Sequence, residues 1–365
     1  MYVVVIRYIQ KMMKLFINAP NVHTGGGKTL LKALLEDWDV RLQGLLFLDE
    51  RFELPERLPE NISVNRIFPT ILKRLIGEWR LKKNVQTGDV VLCLGNLPPL
   101  FKLKGDVYVY VQNRYLFERG KLSGFSLMAR ARMTVERVWF NWREKQVKLF
   151  IVQSPTMKRI IEGRVRRPAT VMPFLKGANG YKRSLQSLSV TNNKIYDFLY
   201  VASGDPHKNH HRLVNAWILL AGDGLRPILC LTINKNKYPT LCTFIEKNKQ
   251  KFDLNIENVG EISHYDVLNL YKKTRTLIFP SVLETIGLPL IEARCADLPI
   301  LASEMDYVRD VIDPEHTFDP MSAISISRAV KRYMGKSEIP LPLVNPKTFL
   351  ENLIIETKKL THPGS

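Results

Sequence analysis

The stretch FPSVLETIGLPLIEARCAD, residues 279–297, decides how the second half of this chain is interpreted. Its first residue, Phe279, ends an apolar run, residues 276–279, that is typical of a buried strand. Gly287 allows a tight turn, and Pro289 suits the first position of a helix because no backbone hydrogen bond is lost there. Glu284 is then expected in the loop, and Glu292 in the first helical turn, with its side chain inclined towards the helix N-terminus. The pattern predicts two carboxylates beside a helix end that favours a phosphate.

Two glutamates at such a junction have two interpretations. One is a helix cap together with a solvated side chain. On spacing alone, this ordinary interpretation has about the same weight as the functional one. The other is a nucleotide-sugar site, in which the carboxylates bind sugar and ribose hydroxyls and the helix end faces the diphosphate.

The surrounding residues resemble the signature of the glycosyl transferases group 1 family (family 4), which comprises retaining glycosyltransferases of GT-B fold. The signature, P-S-x-x-E-x-x-G-L-P-x-x-E-A and an apolar strand, is matched by Pro280, Ser281, Glu284, Gly287, Leu288, Pro289, Glu292, Ala293 and residues 298–302. The resemblance implies that Glu292 binds the ribose hydroxyls and that Glu284 contacts the donor sugar. It also implies that the backbone N–H groups of Gly287 and Leu288 face the sugar-phosphate.

Positive charge is concentrated in the first half of the chain. The net charge is +19 over 365 residues, and residues 1–176 carry 31 lysines and arginines against 15 acidic residues. A basic domain can face nucleic acid, anionic lipid or an acidic acceptor. Residues 127–148 mix cations with aromatic side chains, a composition that favours an anionic membrane surface or, equally, a solvated helix whose aromatics fill the core. The residues concerned are Arg130, Arg132, Arg137, Arg143, Lys145, Lys148, Trp139, Phe140 and Trp142.

Cysteine usage and hydropathy favour a cytoplasmic protein. Cys93, Cys230, Cys242 and Cys295 form no C-x-x-C pair and lie among apolar residues, so reduced core thiols are expected. No apolar window is long enough for a membrane span, and the start of the chain has no cleavage site typical of a signal peptide. We therefore expect a protein bound peripherally to the cytoplasmic face of the inner membrane.

Short apolar strands alternate with helical segments in both halves of the chain. This alternation predicts two doubly wound, Rossmann-like α/β domains that face each other across a cleft. The expected domains are residues 1–176, with 1–12 as a possible extension, and residues 195–344, joined by a linker at 177–194. The family resemblance implies that a helix within 345–365 returns to the first domain.

A glycine cluster follows the first strand. NVHTGGGKT, residues 21–29, is not a P-loop, because Val22 stands where that motif requires glycine. Gly25, Gly26 and Gly27 instead resemble the glycine-rich loop of the family's first domain, which implies close approach of the backbone to donor and acceptor. We expect a loop here, followed by a helix that begins at about Lys28.

The first strand of the second domain leads into SGDPHKNHHR, residues 203–212. At this junction the resembling family carries an arginine and a lysine that clamp the diphosphate. Lys208 matches the lysine, whereas Ser203 stands at the arginine position. The replacement cation is left open among His207, His210, His211, Arg212 and Lys235. A histidine cluster without acidic or cysteine partners is not expected to bind a metal.

The other site residues follow from the resemblance alone. Glu261 and Ile262 are expected near the nucleotide base, and Asn113 and Arg114 on the acceptor side. No D-x-D motif stands after a strand, and the family implies a metal-independent reaction without a cofactor, in which a UDP- or GDP-linked sugar is the co-substrate.

The sequence thus predicts a retaining hexosyltransferase for lipopolysaccharide or O-antigen synthesis, with Lys208 and Glu284 as its catalytic residues. Its expected partners are a nucleotide-sugar donor, a polyprenyl-linked or saccharide acceptor and an anionic membrane, with no nucleic acid. Two alternatives are a nucleotide-sugar epimerase of GT-B fold and a non-enzymatic basic protein that binds membranes or nucleic acid.

Overall fold

The computed structural model of the protein describes residues 14–117, 127–174, 194–336, 345–348, 350 and 352. The predicted extension at 1–12, nearly all of the predicted linker and most of the predicted C-terminal helix lie outside these residues. In the described part of the chain, no helix combines the length and apolar content that a membrane span requires.

The first domain is built on a parallel sheet of seven strands in the order β3-β2-β1-β4-β5-β6-β7. The strands are β1 (Lys14–Ala19), β2 (Gln43–Asp49), β3 (Ile62–Ile67), β4 (Val90–Cys93), β5 (Asp106–Val111), β6 (Leu149–Val152) and β7 (Ala169–Val171). The helices are α1 (Gly25–Glu36), α2 (Ile71–Asn84), α3 (Leu127–Arg143) and α4 (Pro155–Glu162). The strand order reverses between β1 and β4, which makes the carboxyl ends of these two strands the expected ligand-binding edge.

The second domain repeats this topology in a parallel sheet of six strands, ordered β10-β9-β8-β11-β12-β13. Its strands are β8 (Tyr196–Tyr200), β9 (Leu229–Leu231), β10 (Ile256–Asn258), β11 (Thr274–Phe279), β12 (Ile300–Ser303) and β13 (His316–Phe318). Its helices are α5 (His210–Gly222), α6 (Pro239–Phe252), α7 (His264–Lys273), α8 (Leu288–Cys295), α9 (Asp306–Arg309) and α10 (Ala323–Tyr333). The reversal here lies between β8 and β11.

Two strands of the first sheet are missing from the sequence prediction. In β3 only Ile67 is buried, because the strand lies at the edge of the sheet and half of its surface faces solvent. The other edge strand, β7, is three residues long and shows no periodicity. Neither strand has the continuous apolar run that marks buried parallel strands.

The expected glycine loop is also different in the structure. Helix α1 begins at Gly25 rather than near Lys28, so the three glycines form its first turn. Gly25 has a φ of +65°, a left-handed conformation that glycine adopts without steric cost. The backbone at this helix end is therefore free of side-chain atoms.

The two domains meet at the carboxyl edges of their sheets. The rings of Tyr115 and His207 are 5.6 Å apart, and the backbone N–H of Thr156 donates to Asp310 Oδ2 at 3.0 Å. Each of these contacts joins a residue of the first domain to one of the second. The prediction of two doubly wound domains across a cleft is confirmed.

Candidate functional site

A cavity of about 460 Å³ lies between the domains. From the first domain it is lined by the glycine turn of α1, Gln112 and Gln153, and from the second by segments that follow β8, β9, β10 and β11. The reversal point between β8 and β11 is where a doubly wound sheet is expected to bind a ligand. Most predicted site residues line this cavity, namely Gly25, Gly26, Gly27, Ser203, Lys208, Glu261, Ile262, Glu284, Gly287, Leu288 and Glu292.

Three predicted residues are not brought to this cavity. Asn113 and Arg114 do not line it, and the Asn113 side chain accepts a hydrogen bond from the backbone N–H of Tyr115 at 3.0 Å. Lys235 and Lys237 are both exposed, and of the two only Lys237 lines the cavity. The backbone N–H of Lys237 donates to Asn234 Oδ1 at 2.9 Å, which fixes the turn between them.

Lys208 and Glu284 form an ion pair inside the cavity. Lys208 Nζ donates to Glu284 Oε1, and the two side chains are only 17% and 13% exposed. Ser281 Oγ donates to the same carboxylate oxygen at 2.8 Å. Both charges are thus held in place before any ligand binds, and Lys208 presents a cation to an incoming phosphate.

Asn209 connects the loops that carry these two residues. It is 5% exposed and adopts a left-handed conformation with a φ of +64°. Its side-chain NH₂ donates to Pro280 O at 3.1 Å and to Pro320 O at 2.7 Å. Asn209 is not among the residues predicted from the sequence, although an asparagine directly before a helix is a known N-terminal signal.

Helix α8 directs its N-terminus into the cavity. It begins at Leu288, after Gly287 in a left-handed conformation with a φ of +67°. The left-handed conformation favours glycine at this position, and a Cβ there would also lie only 3.0 Å from Leu290 Cδ1, so the leucine side chain would have to shift. The unpaired N–H groups of this helix end are suited to an anion.

Glu292 lies in the second turn of α8, one turn later than the sequence predicts, and is only 5% exposed. Its Oε2 accepts a hydrogen bond from the Tyr271 hydroxyl at 2.9 Å, and its Oε1 accepts one from His264 Nε2 at 3.0 Å. A carboxylate has about four acceptor positions, so Glu292 retains capacity for further hydroxyl donors.

The position of the family arginine lies in a hydrogen-bonded network that contains the carboxyl group of Asp205 and no lysine or arginine. Ser203 Oγ donates to Asp205 Oδ2 at 2.6 Å, and the Tyr238 hydroxyl donates to Asp205 Oδ1 at 3.0 Å. His210 Nε2 donates to Ser203 O at 2.8 Å, and burial lowers the pKa of His210 to about 4.

The remaining proposed substitutes for that arginine are also engaged or outside the cavity. Burial lowers the pKa of His207, so this residue supplies no charge at neutral pH. Arg212 donates to Met321 O and Asn209 Oδ1, both at 3.1 Å, and His211 does not line the cavity. Lys237 is therefore the second cation that the lining of the cavity provides.

The buried His210 predicts a pH dependence of folding. Its pKa of about 4 in the folded chain lies below the ordinary value of about 6.5, so the unfolded chain binds more protons between these two values. Stability should fall by about 3 kcal/mol as the pH drops from 7 to 4. Urea unfolding at several pH values, compared with His210→Gln, measures this loss, since glutamine keeps an N–H donor but does not titrate. Parallel stability curves for the two proteins would contradict the assignment.

Among the described residues, no group of three or more histidine, cysteine, aspartate or glutamate side chains is arranged to hold a metal ion. Cys93, Cys230, Cys242 and Cys295 are all free thiols, and burial raises the pKa of Cys93 and Cys230.

The fold and the second domain both have known counterparts. The chain superposes on a crystal structure of Anabaena Alr3699/HepE in complex with UDP and glucose with a TM-score of 0.64 and 16% identity, covering 88% of this chain and 90% of that one. O-antigen chain mannosyltransferase B of Escherichia coli is 26% identical over 165 residues, and the serotype-specific mannosyltransferase WbdA of the same species is 27% identical over 164 residues. Each match covers 44% of this chain, but only 40% and 20% of the respective relative.

Residues 185–342 match the family model described as Glycosyl transferases group 1. This range contains every second-domain residue of the cavity, and it confirms the resemblance that the signature at 280–293 indicates. The chain is thus a two-domain protein of GT-B fold whose residues 185–342 match the glycosyl transferases group 1 model.

Proposed function

We propose that this protein is a retaining glycosyltransferase that transfers a hexose from a nucleoside-diphosphate sugar to a saccharide or lipid-linked acceptor in O-antigen-type polysaccharide synthesis. The observation that carries the proposal is the interdomain cavity, where the half-buried Lys208–Glu284 pair and the N-terminus of α8 line the same space. The names of the two mannosyltransferase relatives favour mannose as the sugar. The bound UDP and glucose of the HepE complex support a nucleotide-sugar donor.

The roles we propose follow from the charge and position of each group. Lys208 and Lys237 neutralise the diphosphate, together with the N–H groups at Gly287 and Leu288. Glu284 accepts hydrogen bonds from sugar hydroxyls. Glu292 uses its remaining acceptor positions for the ribose hydroxyls.

In the proposed reaction, an acceptor hydroxyl attacks the anomeric carbon on the face that the diphosphate leaves. The bond from this carbon to the phosphate oxygen breaks, and its electron pair departs with the nucleoside diphosphate. The hydroxyl proton passes to the departing phosphate oxygen, so the configuration at the anomeric carbon is retained and no protein base is needed. Because Lys208, Lys237 and a helix end supply the positive charge, we propose a metal-independent reaction, which persistent transfer in EDTA would support.

Nucleotide binding provides the direct test. UDP or GDP at about 100 times its dissociation constant should stabilise the folded protein by about 2.7 kcal/mol, because the nucleotide binds only the native state. The melting temperature should rise by several degrees with the preferred nucleotide, and less with ADP. Incubation of the purified protein with UDP-glucose or GDP-mannose and a membrane extract should then give a glycosylated acceptor. A new sugar isomer without transfer would support the epimerase alternative, and no response to any nucleotide would refute the proposal.

We further propose that the first domain binds an anionic membrane surface. In α2 and α3, exposed tryptophans lie beside cations, with Lys83 Nζ 3.6 Å from the Trp79 ring centroid and Arg143 Cζ 3.6 Å from that of Trp142. Phe140, which the sequence places in the same cluster, is buried in the core. Aromatic and cationic side chains in this combination favour the headgroup region.

The test of membrane binding is co-sedimentation with vesicles that contain phosphatidylglycerol. A double substitution, Trp79→Ala with Trp142→Ala, should lower the bound fraction several-fold, because it removes both aromatic anchors. Raising the salt concentration should have a similar effect, because it screens the cations. As a control, Trp217→Phe changes a tryptophan that is buried in the second domain. Equal sedimentation of the double variant and the unmodified protein would contradict this surface.

A further inference from the structure

A second cavity, of about 750 Å³, lies within the first domain. It shares no lining residue with the interdomain cavity. Asn21 follows β1 and Gly95 follows β4, so the cavity opens at the reversal point of the first sheet, and helices α2 and α3 complete its wall. In doubly wound sheets this is the position where ligands bind, and the roles proposed above leave it unused.

Polar atoms that point to a ligand converge on this cavity. Asn21 Oδ1, Arg74 Nε and Trp139 Nε1 are buried, and none has a hydrogen-bond partner among the described residues. All three residues line the cavity. Buried polar groups in folded proteins almost always have a partner. Arg74 Nε and Trp139 Nε1 are N–H donors, so their missing partner is an acceptor such as a phosphate oxygen, whereas Asn21 Oδ1 requires a donor such as a hydroxyl group.

Arginines dominate the charge around these atoms. Arg51, Arg74 and Arg132 line the cavity. Arg51 is engaged by the fully buried Asp49, with its Nε and one terminal nitrogen each 2.8 Å from a carboxylate oxygen. Arg74 reaches the same carboxylate only at 3.9 Å, and burial together with the charges of Arg132 and Arg51 lowers its pKa. Arg74 is thus the arginine whose charge the protein compensates least.

The acidic residues of the lining offset these charges only in part. Arg132 donates to Glu136 at 2.8 Å on the same helix. Glu78 is buried, accepts hydrogen bonds from Leu100 N at 2.7 Å and Asn18 Nδ2 at 3.1 Å, and has a pKa that burial raises. Each oxygen of the Glu78 carboxyl group thus already accepts one hydrogen bond from the protein.

The outer wall of the cavity is apolar and continues onto the protein surface. Ile71 on α2 and Val135 on α3 line the cavity and are 82% and 64% exposed. Further exposed apolar side chains extend from them along the two helices, namely Leu72, Ile76, Trp79, Val138 and Trp142. We refer to these seven residues as the apolar ridge. An exposed apolar surface of this kind marks a site for a lipid or another partner.

We infer that the second cavity binds the head of an acceptor lipid, a phosphate or diphosphate esterified to a long apolar chain. Arg74, Arg132 and the indole N–H of Trp139 bind the phosphate oxygens, and the chain lies along the apolar ridge. This inference rests on the proposed function, because it assigns the acceptor of the same reaction. His23 lines the second cavity and Gly25 the interdomain cavity, so a sugar attached to the bound head lies next to the donor.

The test uses farnesyl diphosphate as the probe, with inorganic diphosphate and farnesol as its separated parts. Calorimetric titration should show one probe molecule per chain, bound about tenfold or more tightly than either part, because head and chain bind together. Arg74→Ala should lower the affinity for the probe by about tenfold or more, and Trp139→Phe should lower it by a smaller factor, since each substitution removes a donor to the phosphate. Arg80→Ala is the matched control, because Arg80 lies on the same helix, is exposed and does not line the cavity.

Two further variants and one lipid comparison make the outcome decisive. Lys208→Ala should leave the affinity for the probe unchanged. A loss of probe affinity in this variant would place the probe in the interdomain cavity and overturn the inference. Equal losses in Arg74→Ala and Arg80→Ala, or binding only to vesicles of phosphatidylglycerol, would reduce the effect to general attraction of anions and also overturn it. Nucleotide stabilisation should persist in Arg74→Ala. Failure of nucleotide binding alone would instead refute the proposed donor site, so the two proposals can fail separately.

Discussion

Replacing Lys208 by alanine is expected to lower the rate of sugar transfer by about 10²–10³-fold, or roughly 3–4 kcal/mol of transition-state stabilisation. Negative charge develops on the departing diphosphate, and Lys208 is a half-buried cation that Glu284 already holds in position. The nucleotide itself carries much of that charge before reaction, so its affinity should also weaken. Steady-state rates with saturating donor, together with nucleotide-induced shifts in melting temperature, separate the two effects.

The control for this prediction is Lys235→Ala. Lys235 precedes α6 in the same basic segment as Lys237 but is exposed and does not line the cavity, so its removal should leave the rate within about twofold. Lys237→Ala should have an effect between the two. A loss in Lys235→Ala equal to that in Lys208→Ala would show that general positive charge, rather than a positioned group, is responsible.

A second variant addresses whether Lys208→Ala merely unfolds the site. Without Lys208, Glu284 is a buried carboxylate with a hydroxyl partner in Ser281, and an uncompensated buried charge is destabilising. The double variant Lys208→Ala with Glu284→Gln should recover part of the lost stability, because it removes that charge. It should not recover transfer. Recovery of transfer would mean that neither group acts on the donor.

Several residues that line the interdomain cavity could be predicted from sequence because they lie at the ends of strongly apolar strands. Glu284, Gly287 and Glu292 follow β11, and Lys208 follows β8, and a parallel sheet brings these two strand ends together at the reversal point. The identity of the second cation was beyond the sequence. Whether Lys235 or Lys237 faces the cavity depends on a turn that Asn234 fixes through its side chain.

The acceptor side could not be predicted because it depends on how helices pack. Arg74 and Trp139 lie 65 positions apart on α2 and α3, and neither belongs to a motif. The pattern of α2 suggests an ordinary surface helix, and only the structure shows that its apolar side chains are exposed beside a cavity. Asn113 and Arg114 were chosen by their position after a strand, but they line neither cavity.

Asn209 was missed because its role depends on loops that are distant in sequence. Its side-chain NH₂ donates to carbonyl groups 71 and 111 positions away, at Pro280 and Pro320. These bonds hold the loop of Lys208 against the loop that leads to Ser281 and Glu284. The residue is thus a positioning residue that acts through the ion pair.

Asn209→Ala is expected to destabilise the second domain by about 3–7 kcal/mol. Two buried carbonyl groups lose their donor, at about 1–3 kcal/mol each, and alanine adds about 1 kcal/mol of strain at a φ of +64°. Asn209→Gly keeps the backbone conformation without strain, so relative to alanine it should recover only the contribution from strain. Asn209→Asp should cost at least as much as alanine, because it places a carboxylate oxygen against two carbonyl oxygens. Urea unfolding of the three variants separates the backbone contribution from that of the amide.

The control for Asn209 is Asn215→Ala, the same substitution at an exposed position of α5, which should change the stability by less than about 0.5 kcal/mol. A positioning role makes a further demand that simple loss of stability does not. At a temperature where Asn209→Gly is fully folded, its transfer rate should still be lowered, because the loops of Lys208 and Glu284 are no longer joined. Conversely, a normal transfer rate in folded Asn209→Gly would mean that Asn209 contributes only to stability. If Asn209→Gly were also as stable as the unmodified protein, Asn209 would have neither a stabilising nor a positioning role. The variant therefore tests whether the Lys208–Glu284 pair depends on this single amide for its alignment with the donor.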